Sequence, residues 1–212
     1  MDYRLVIFDF DGTLADSFSW AAGLVNQFAD QYGFRRIDPH EQESLRVLDA
    51  KTLIQQLGVP AWKIPIMAAH VRKLMGQQID QIPLFAGIET QLRSLQASGA
   101  TLAVVSSNAE QNIRRVLGPE SSARIAFYEC GAAIFGKAPK LKTVLRKSGI
   151  DPAQAILIGD EIRDAHAAEQ AHMAFGAVAW GYTRYEALKA HNPALAFDCV
   201  DELSEKLLGG RP

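Results

Sequence analysis

A short apolar run near the amino terminus ends in two carboxylates, and few folds accommodate that arrangement. Leu5-Val6-Ile7-Phe8 has the composition of a fully buried strand, and Asp9-Phe10-Asp11-Gly12-Thr13 follows it directly. Asp9 and Asp11 are two residues apart on an extended segment, so both side chains can point to the same side. Open α/β sheets bind their ligands at the carboxyl ends of their strands. Two like charges held this close need a compensating cation, and hard carboxylate oxygens suit Mg²⁺.

The rest of the chain predicts an α/β fold with one helical insertion. After residue 83 apolar strands alternate with helical patterns, which indicates a doubly wound parallel sheet with helices on both faces. Strands are predicted at 101–105, 125–127, 155–158 and 175–179, and helices at 88–97, 109–117, 139–147, 163–171 and 202–208. Residues 18–79 show helical spacing without a convincing strand. We therefore expect a core domain of residues 1–15 and 83–212, and an all-helical cap domain of residues 16–82.

Polar residues follow two of the later strands. Ser106 and Ser107 come directly after the strand at 101–105, where a hydroxyl and backbone N–H groups can hold a phosphoryl oxygen. Asp160 and Asp164, in Gly159-Asp160-Glu161-Ile162-Arg163-Asp164, come after the strand at 155–158. Their spacing fits one metal ligand and one supporting acid. Each pattern also has an ordinary structural explanation, because serine and aspartate commonly cap helices.

A lysine pair marks the start of another predicted helix. In Gly136-Lys137-Ala138-Pro139-Lys140, Lys137 could balance a carboxylate and contact phosphate as a point charge. A lysine at such a position is more often simply on the surface, and Lys140 is a rival for the same role. In a doubly wound sheet, the lysine, the serines and both acid pairs would meet at one edge.

Taken together, these motifs resemble the haloacid dehalogenase superfamily of phosphohydrolases along nearly the whole chain. The helical insertion is similar to the superfamily's first type of cap, found in phosphoglycolate phosphatases and β-phosphoglucomutases. The resemblance implies that Asp9 is the nucleophile and forms an aspartyl-phosphate, and that Asp11 is the general acid and base. It implies a Mg²⁺ site formed by Asp9, Asp11, Asp160 and Asp164. It also implies a phosphate site formed by Ser106 and Ser107, with Lys137 as the lysine that balances the negative charge. The dehalogenases lack an acid at the position of Asp11, so that residue favours phosphate over halide.

The family resemblance leaves the substrate open. A phosphatase acting on a small phosphorylated metabolite is expected, with phosphoglycolate as the nearest analogy. A sugar-phosphate mutase would keep the same motifs, and a catalytically silent binding module is a further alternative. Cap cations that could hold a second anionic group of the substrate are Arg46, Lys51, Arg72 and Lys73. Trp180-Gly181-Tyr182-Thr183 after the last predicted strand could form a rim loop of the site.

Bulk composition limits the classes of binding partner that are expected for this chain. The 212 residues are 48% hydrophobic and 22% charged, with a net charge of −2, which argues against nucleic acid as a partner. The apolar runs are strand-sized and no signal peptide is visible, so we expect no membrane partner and a cytoplasmic location. Cys130 and Cys199 show no metal-binding spacing and are expected to be buried, reduced thiols. The sequence does not indicate an oligomeric state.

Overall fold

A parallel six-stranded sheet forms the centre of the molecule. The computed structural model describes residues 3–131 and 136–209. Within them the strand order is β3-β2-β1-β4-β5-β6, and every pairing is parallel. The strands are β1 (Leu5–Phe8), β2 (Thr101–Val105), β3 (Ile125–Glu129), β4 (Ala155–Gly159), β5 (Ala174–Val178) and β6 (Leu195–Phe197). The order reverses between β1 and β4, so a crevice opens at the carboxyl end of β1, as in other doubly wound sheets.

Helices cover the sheet on both sides. The α-helices of the described residues are α1 (Phe18–Tyr32), α2 (Gln42–Leu45), α3 (Ala50–Gln56), α4 (Ile64–Gln77), α5 (Ile88–Ala97), α6 (Glu110–Arg124), α7 (Lys137–Ser148), α8 (Ile162–Gln170), α9 (Tyr185–Lys189) and α10 (Glu202–Leu207). Those that pack on the strands of the sheet are α5 to α10. Alternate β1 side chains enter two apolar clusters, Val6 and Phe8 in one, Leu5 and Ile7 in the other. The doubly wound fold expected from the sequence is confirmed.

Helices α1 to α4 form the cap inserted between β1 and α5. Residues 16–82 contain no strand, as the sequence predicted. The two connections to the core lie side by side: Asp16 N donates to Pro83 O at 2.9 Å, and Phe85 N donates to Leu14 O at 3.0 Å. An antiparallel bridge joins Ala15 to Leu84 between them. The cap is thus attached through a narrow paired linker.

Several local predictions differ from the structure. The helix predicted to stop at Gly118 continues to Arg124, but Gly118 itself has φ 70° and breaks the helical path there, as expected of glycine before proline. Helix α9 and strand β6 were not predicted, because both are short and weakly periodic. The expectation of two buried thiols is wrong for Cys199, which is exposed, while Cys130 is half-buried and both are free. Within the described residues, no helix is long and apolar enough to cross a membrane.

Candidate functional site

Three buried aspartates meet at the carboxyl ends of the two central strands. Asp9 follows β1, Asp160 follows β4, and Asp164 lies in the first turn of α8. Each offers a carboxylate oxygen, and these oxygens lie within 4.8 Å of one another. We call these three residues the acidic cluster. Phe8 pairs with Ile158 across the parallel ladder, and that register brings the two strand ends together.

One carboxylate oxygen of Asp9 has an ion pair but no well-aligned hydrogen bond. Its Oδ1 accepts a hydrogen bond from Phe10 N at 2.7 Å. Its Oδ2 lies 2.7 Å from Lys137 Nζ in an ion pair, but accepts no well-aligned hydrogen bond although it is buried. A buried carboxylate oxygen normally has such partners. This atom is therefore placed to bond to something else, such as a metal ion or an electrophile.

Lys137, the first residue of α7, neutralises part of the cluster. Its ammonium forms ion pairs with both Asp9 and Asp164, and its side chain is only 9% exposed. Burial would lower the pKa of Lys137, but the charges of Asp164 and Asp9 outweigh that effect and raise it. Lys140, the rival residue, instead donates to the backbone oxygens of Ser106 at 2.8 Å and Gly131 at 2.6 Å. Of the two lysines, Lys137 is the one that contacts the acidic cluster.

Neighbouring groups hold Asp160 and Asp164 firmly. Thr13 Oγ1 donates to Asp160 Oδ1, and Tyr182 N donates to Asp160 Oδ2, both at 2.7 Å. Glu161 N donates to Asp164 Oδ2 at 3.1 Å. Burial is the largest cause that raises the pKa of Asp160 well above its ordinary value, and it also raises that of Asp164 to about 6. One ammonium against three carboxylates leaves an excess of negative charge that a divalent cation would offset.

Two glycines let the backbone approach Asp160 closely. A Cβ atom on Gly12 would lie 2.3 Å from Asp160 Oδ2, and Gly12 also has φ +77°. A Cβ atom on Gly181 would lie 2.1 Å from Asp160 Cβ. Real Cβ contacts are not that short, so only glycine fits either position without movement. The carboxylate is enclosed by backbone on two sides, which fixes its orientation.

Asp11 lies outside the cluster, at the wall of a cavity beneath the cap. Its Oδ2 accepts a hydrogen bond from Asn108 Nδ2 at 3.2 Å. Burial, followed by the negative charge of Asp9, raises the pKa of the Asp11 carboxyl to about 7. A carboxyl with such a pKa can both give and take a proton at neutral pH. The two aspartates of the first motif thus have different environments.

Ser106 and Ser107 extend the site along the end of β2. Ser106 is buried, and its Oγ accepts a hydrogen bond from Asn108 N at 3.1 Å. Ser107 lines the same cavity as Asp11 and Asn108. We call this space, about 280 Å³ in volume, the catalytic cavity. The structure therefore brings both serines to the edge at which the acidic cluster lies.

Two residues of the catalytic cavity, Glu161 and Arg163, have no role assigned by the sequence motifs. Glu161 and Arg163 form an ion pair and line it, together with Tyr182 of the rim loop and Arg72 of the cap. Both members of the ion pair lie inside the Gly159–Asp164 motif, but nothing in that motif distinguishes a cavity-facing arginine from one in solvent. Arg46, another cap cation considered from the sequence, instead donates to the rim-loop oxygens of Gly181 at 2.7 Å and Tyr182 at 3.0 Å.

Comparisons with known proteins agree on one family. The family model described as haloacid dehalogenase-like hydrolase matches residues 6–178. A phosphoglycolate phosphatase from Synechococcus elongatus is 30% identical over 201 residues, which cover 94% of this chain and 95% of the relative. A phosphoglycolate phosphatase from Psychrobacter arcticus is 26% identical, with 100% of this chain and 99% of the relative covered. A crystal structure from Clostridium acetobutylicum, described as a predicted phosphatase, superposes with a TM-score of 0.81 at 21% sequence identity. The match covers 98% of this chain and 99% of the other chain, which supports the fold.

Proposed function

This chain is a phosphatase of the haloacid dehalogenase-like hydrolase family, and we propose that it hydrolyses the phosphomonoester of a small metabolite through an aspartyl-phosphate at Asp9, with Mg²⁺ as its metal ion. The observation that carries this proposal is the buried Oδ2 atom of Asp9, which has only an ion pair with Lys137 and accepts no well-aligned hydrogen bond. A carboxylate oxygen in that state is available as a nucleophile.

The reaction takes place in two steps. In the first, Asp9 Oδ2 attacks phosphorus and the bond from phosphorus to the alcohol oxygen breaks, while Asp11 gives its proton to the leaving alkoxide. In the second, Asp11 takes a proton from water, whose oxygen attacks the phosphorus on Asp9. The bond from phosphorus to Asp9 Oδ2 breaks, which releases inorganic phosphate and restores the Asp9 carboxylate. The pKa of about 7 at Asp11 suits both transfers. Positioned proton transfer of this kind contributes roughly 10²- to 10⁴-fold to the rate.

Four residues would hold the metal ion. Asp9 and Asp160 would supply carboxylate oxygens, Asp11 its backbone carbonyl, and Asp164 would support this shell. The excess negative charge of the acidic cluster and the hard oxygen donors fit Mg²⁺. When bound, the ion would reduce repulsion between nucleophile and phosphate and stabilise charge in the transition state.

The phosphate would lie between β1 and β2. We assign its oxygens to the Ser106 hydroxyl, to the N–H of Ser107 and to the ammonium of Lys137. Lys137 would also screen Asp9 from the incoming dianion, because two negative groups at about 3 Å repel strongly in a buried site. The proposed division into a core of residues 1–15 and 83–212 and a cap of residues 16–82 puts the leaving group beneath the cap, which would exclude water.

The first substrate to test is 2-phosphoglycolate, since relatives over nearly the whole chain are named for it. The proposal does not involve nucleic acid or membrane partners. It places the enzyme in the cytoplasm, where both free thiols would stay reduced.

The nucleophile can be tested with three variants. Phosphate release from 2-phosphoglycolate and acetyl phosphate should require Mg²⁺ and should fall to background in Asp9→Asn. Asp16→Asn changes a nearby exposed aspartate and should retain full activity. Acid-quenched Asp11→Asn should carry a phosphoryl group on Asp9, detectable by mass spectrometry of the peptide. Activity that persists in Asp9→Asn contradicts the assignment, and product isomerisation without net phosphate release would indicate a mutase.

A further inference from the structure

A second cavity lies between the cap and the core, next to the catalytic cavity. Its volume is about 340 Å³, and we call it the cap cavity. Its walls come from the inward side of α1, from α2 and α3, and from the rim loop. Small side chains at Ala21 and Ala22 leave room where larger ones would fill the space.

Most of the lining is apolar and remains incompletely covered. Phe18, Val25, Leu45, Leu48 and Leu53 all line the cap cavity, and none of them is fully buried. Helices α2 and α3 contain no buried residue at all, although both carry leucines that face this space. Apolar surface left open to water costs about 25 cal/mol per Å². An apolar ligand group would remove that cost.

The two cavities adjoin and share one wall. Ala21, Glu161, Arg163 and Tyr182 line both of them. A phosphomonoester held by Asp9 and the end of β2 would therefore extend past the Glu161–Arg163 ion pair into the cap cavity. The phosphate end is polar and charged, whereas the far end is apolar.

Both cations that line the cap cavity, Arg46 and Arg163, already have partners: Arg163 forms an ion pair with Glu161. Arg46 donates to the backbone oxygens of Gly181 and Tyr182, pairs with Glu43 at 3.1 Å, and lies over the ring of Phe18. A substrate carboxylate would have to displace these contacts. The chemistry of this space thus favours an apolar group.

We infer that this enzyme prefers phosphomonoesters whose alcohol carries an apolar body of about one ring, which occupies the cap cavity. This inference rests on the proposed phosphatase function. A two-carbon acid such as glycolate carries no apolar body that could occupy the cap cavity. A volume of about 340 Å³ lies within the range of small-molecule pockets.

Two alkyl phosphates with similar leaving groups test the inference. Ethyl phosphate and 2-phenylethyl phosphate both release a primary alkoxide, so a difference in kcat/KM reports on the apolar body. Burying a ring of this size should raise kcat/KM about 10- to 100-fold for the phenylethyl ester. Calorimetry should likewise show ethylphosphonate binding at least tenfold more weakly than 2-phenylethylphosphonate. Equal efficiencies, or equal affinities, would overturn the inference.

Two matched variants on α1 test whether the preference for the phenylethyl ester arises in the cap cavity. Ala22→Phe places bulk inside the cap cavity and should reduce the ratio of the two efficiencies towards one. Gln27→Phe adds the same ring to an exposed position of α1 and should leave the ratio unchanged. Should Ala22→Phe not fold, the phosphonate affinities of the unmodified enzyme still decide the matter. If no phosphomonoester is hydrolysed with Mg²⁺, including 2-phosphoglycolate, the proposed function itself fails. Hydrolysis without the phenylethyl preference refutes only the inference.

Discussion

Replacing Lys137 by methionine should destabilise the fold and stop turnover together. The substitution keeps most of the side-chain volume but removes the ammonium that pairs with Asp9 and Asp164, both buried. Removing one partner of a buried ion pair typically costs about 3–5 kcal/mol, because the remaining charge stays uncompensated. Domains of this size are stable by only about 5–15 kcal/mol, so such a loss is readily measured.

The free energy of unfolding is measured by denaturant titration in EDTA at pH 8, with circular dichroism as the signal. Turnover is measured separately as phosphate release in the presence of Mg²⁺. Lys147→Met removes a surface ion pair with Glu129, in which the lysine is 51% exposed, and should cost less than about 1 kcal/mol. Lys140→Met removes two hydrogen bonds to backbone oxygens and should cost about 1–3 kcal/mol. We expect kcat to fall by at least about 10²-fold in Lys137→Met and to stay within tenfold in Lys140→Met.

The comparison of the two lysines can refute the reasoning. Full activity in Lys137→Met would mean that its charge is not used at the phosphate. A neutral effect on unfolding would mean that the acidic cluster is not charged in the folded protein. If Lys140→Met abolished turnover and Lys137→Met did not, the phosphate-site lysine would be Lys140.

Three further perturbations test the site and its surroundings. Gly181→Ala should weaken Mg²⁺ binding, measured by calorimetry, because its Cβ would collide with Asp160. As a control, the Cβ of Gly23→Ala in α1 meets no atom within 4 Å, so this variant should stabilise the fold by up to about 1 kcal/mol. Burial raises the pKa of Asp160 well above its ordinary value and that of Asp164 to about 6, so the metal-free fold loses stability as the pH rises from about 4 through about 6. The unfolding free energy of the Mg²⁺-loaded protein relative to the EDTA-treated protein should therefore grow over that range, and a constant difference would contradict this. Burial raises the pKa of the Cys130 thiol to about 12, so iodoacetamide at pH 8 should modify exposed Cys199 first, as peptide mapping would reveal.

The sequence predicted the fold because strong local signals agree with it. Three strands, β1, β2 and β4, are apolar runs followed by polar residues. Their parallel pairing brings the carboxyl ends to one edge of the sheet. That rule was sufficient to predict that Asp9, Asp160 and Ser106 would be close together. Short α9 and β6 carry too few residues for a periodic pattern and depend on tertiary packing.

The finer assignments in the site depend on side-chain direction, which spacing alone does not determine. Lys137 and Lys140 are three residues apart on one helix, so both can face the sheet edge. Only the approach of α7 to the sheet separates them. Asn108 and Arg163 are similarly ambiguous in sequence, since each is an ordinary polar residue near a helix start. Their contact with the catalytic cavity follows from where the cap closes over the core.

The rim loop has a consequence for how this fold can be rebuilt. Tyr182 N holds Asp160 from one side of the loop, while Arg46 of the cap binds the carbonyl oxygens of Gly181 and Tyr182. A chimaera that kept its own loop but received a foreign cap without an arginine at the position of Arg46 would lose the guanidinium that braces those peptides. Recombination between relatives should therefore give a folded protein more often when residues 180–183 are exchanged together with the cap. More than a hundred positions in the chain separate Arg46 of the cap from this loop.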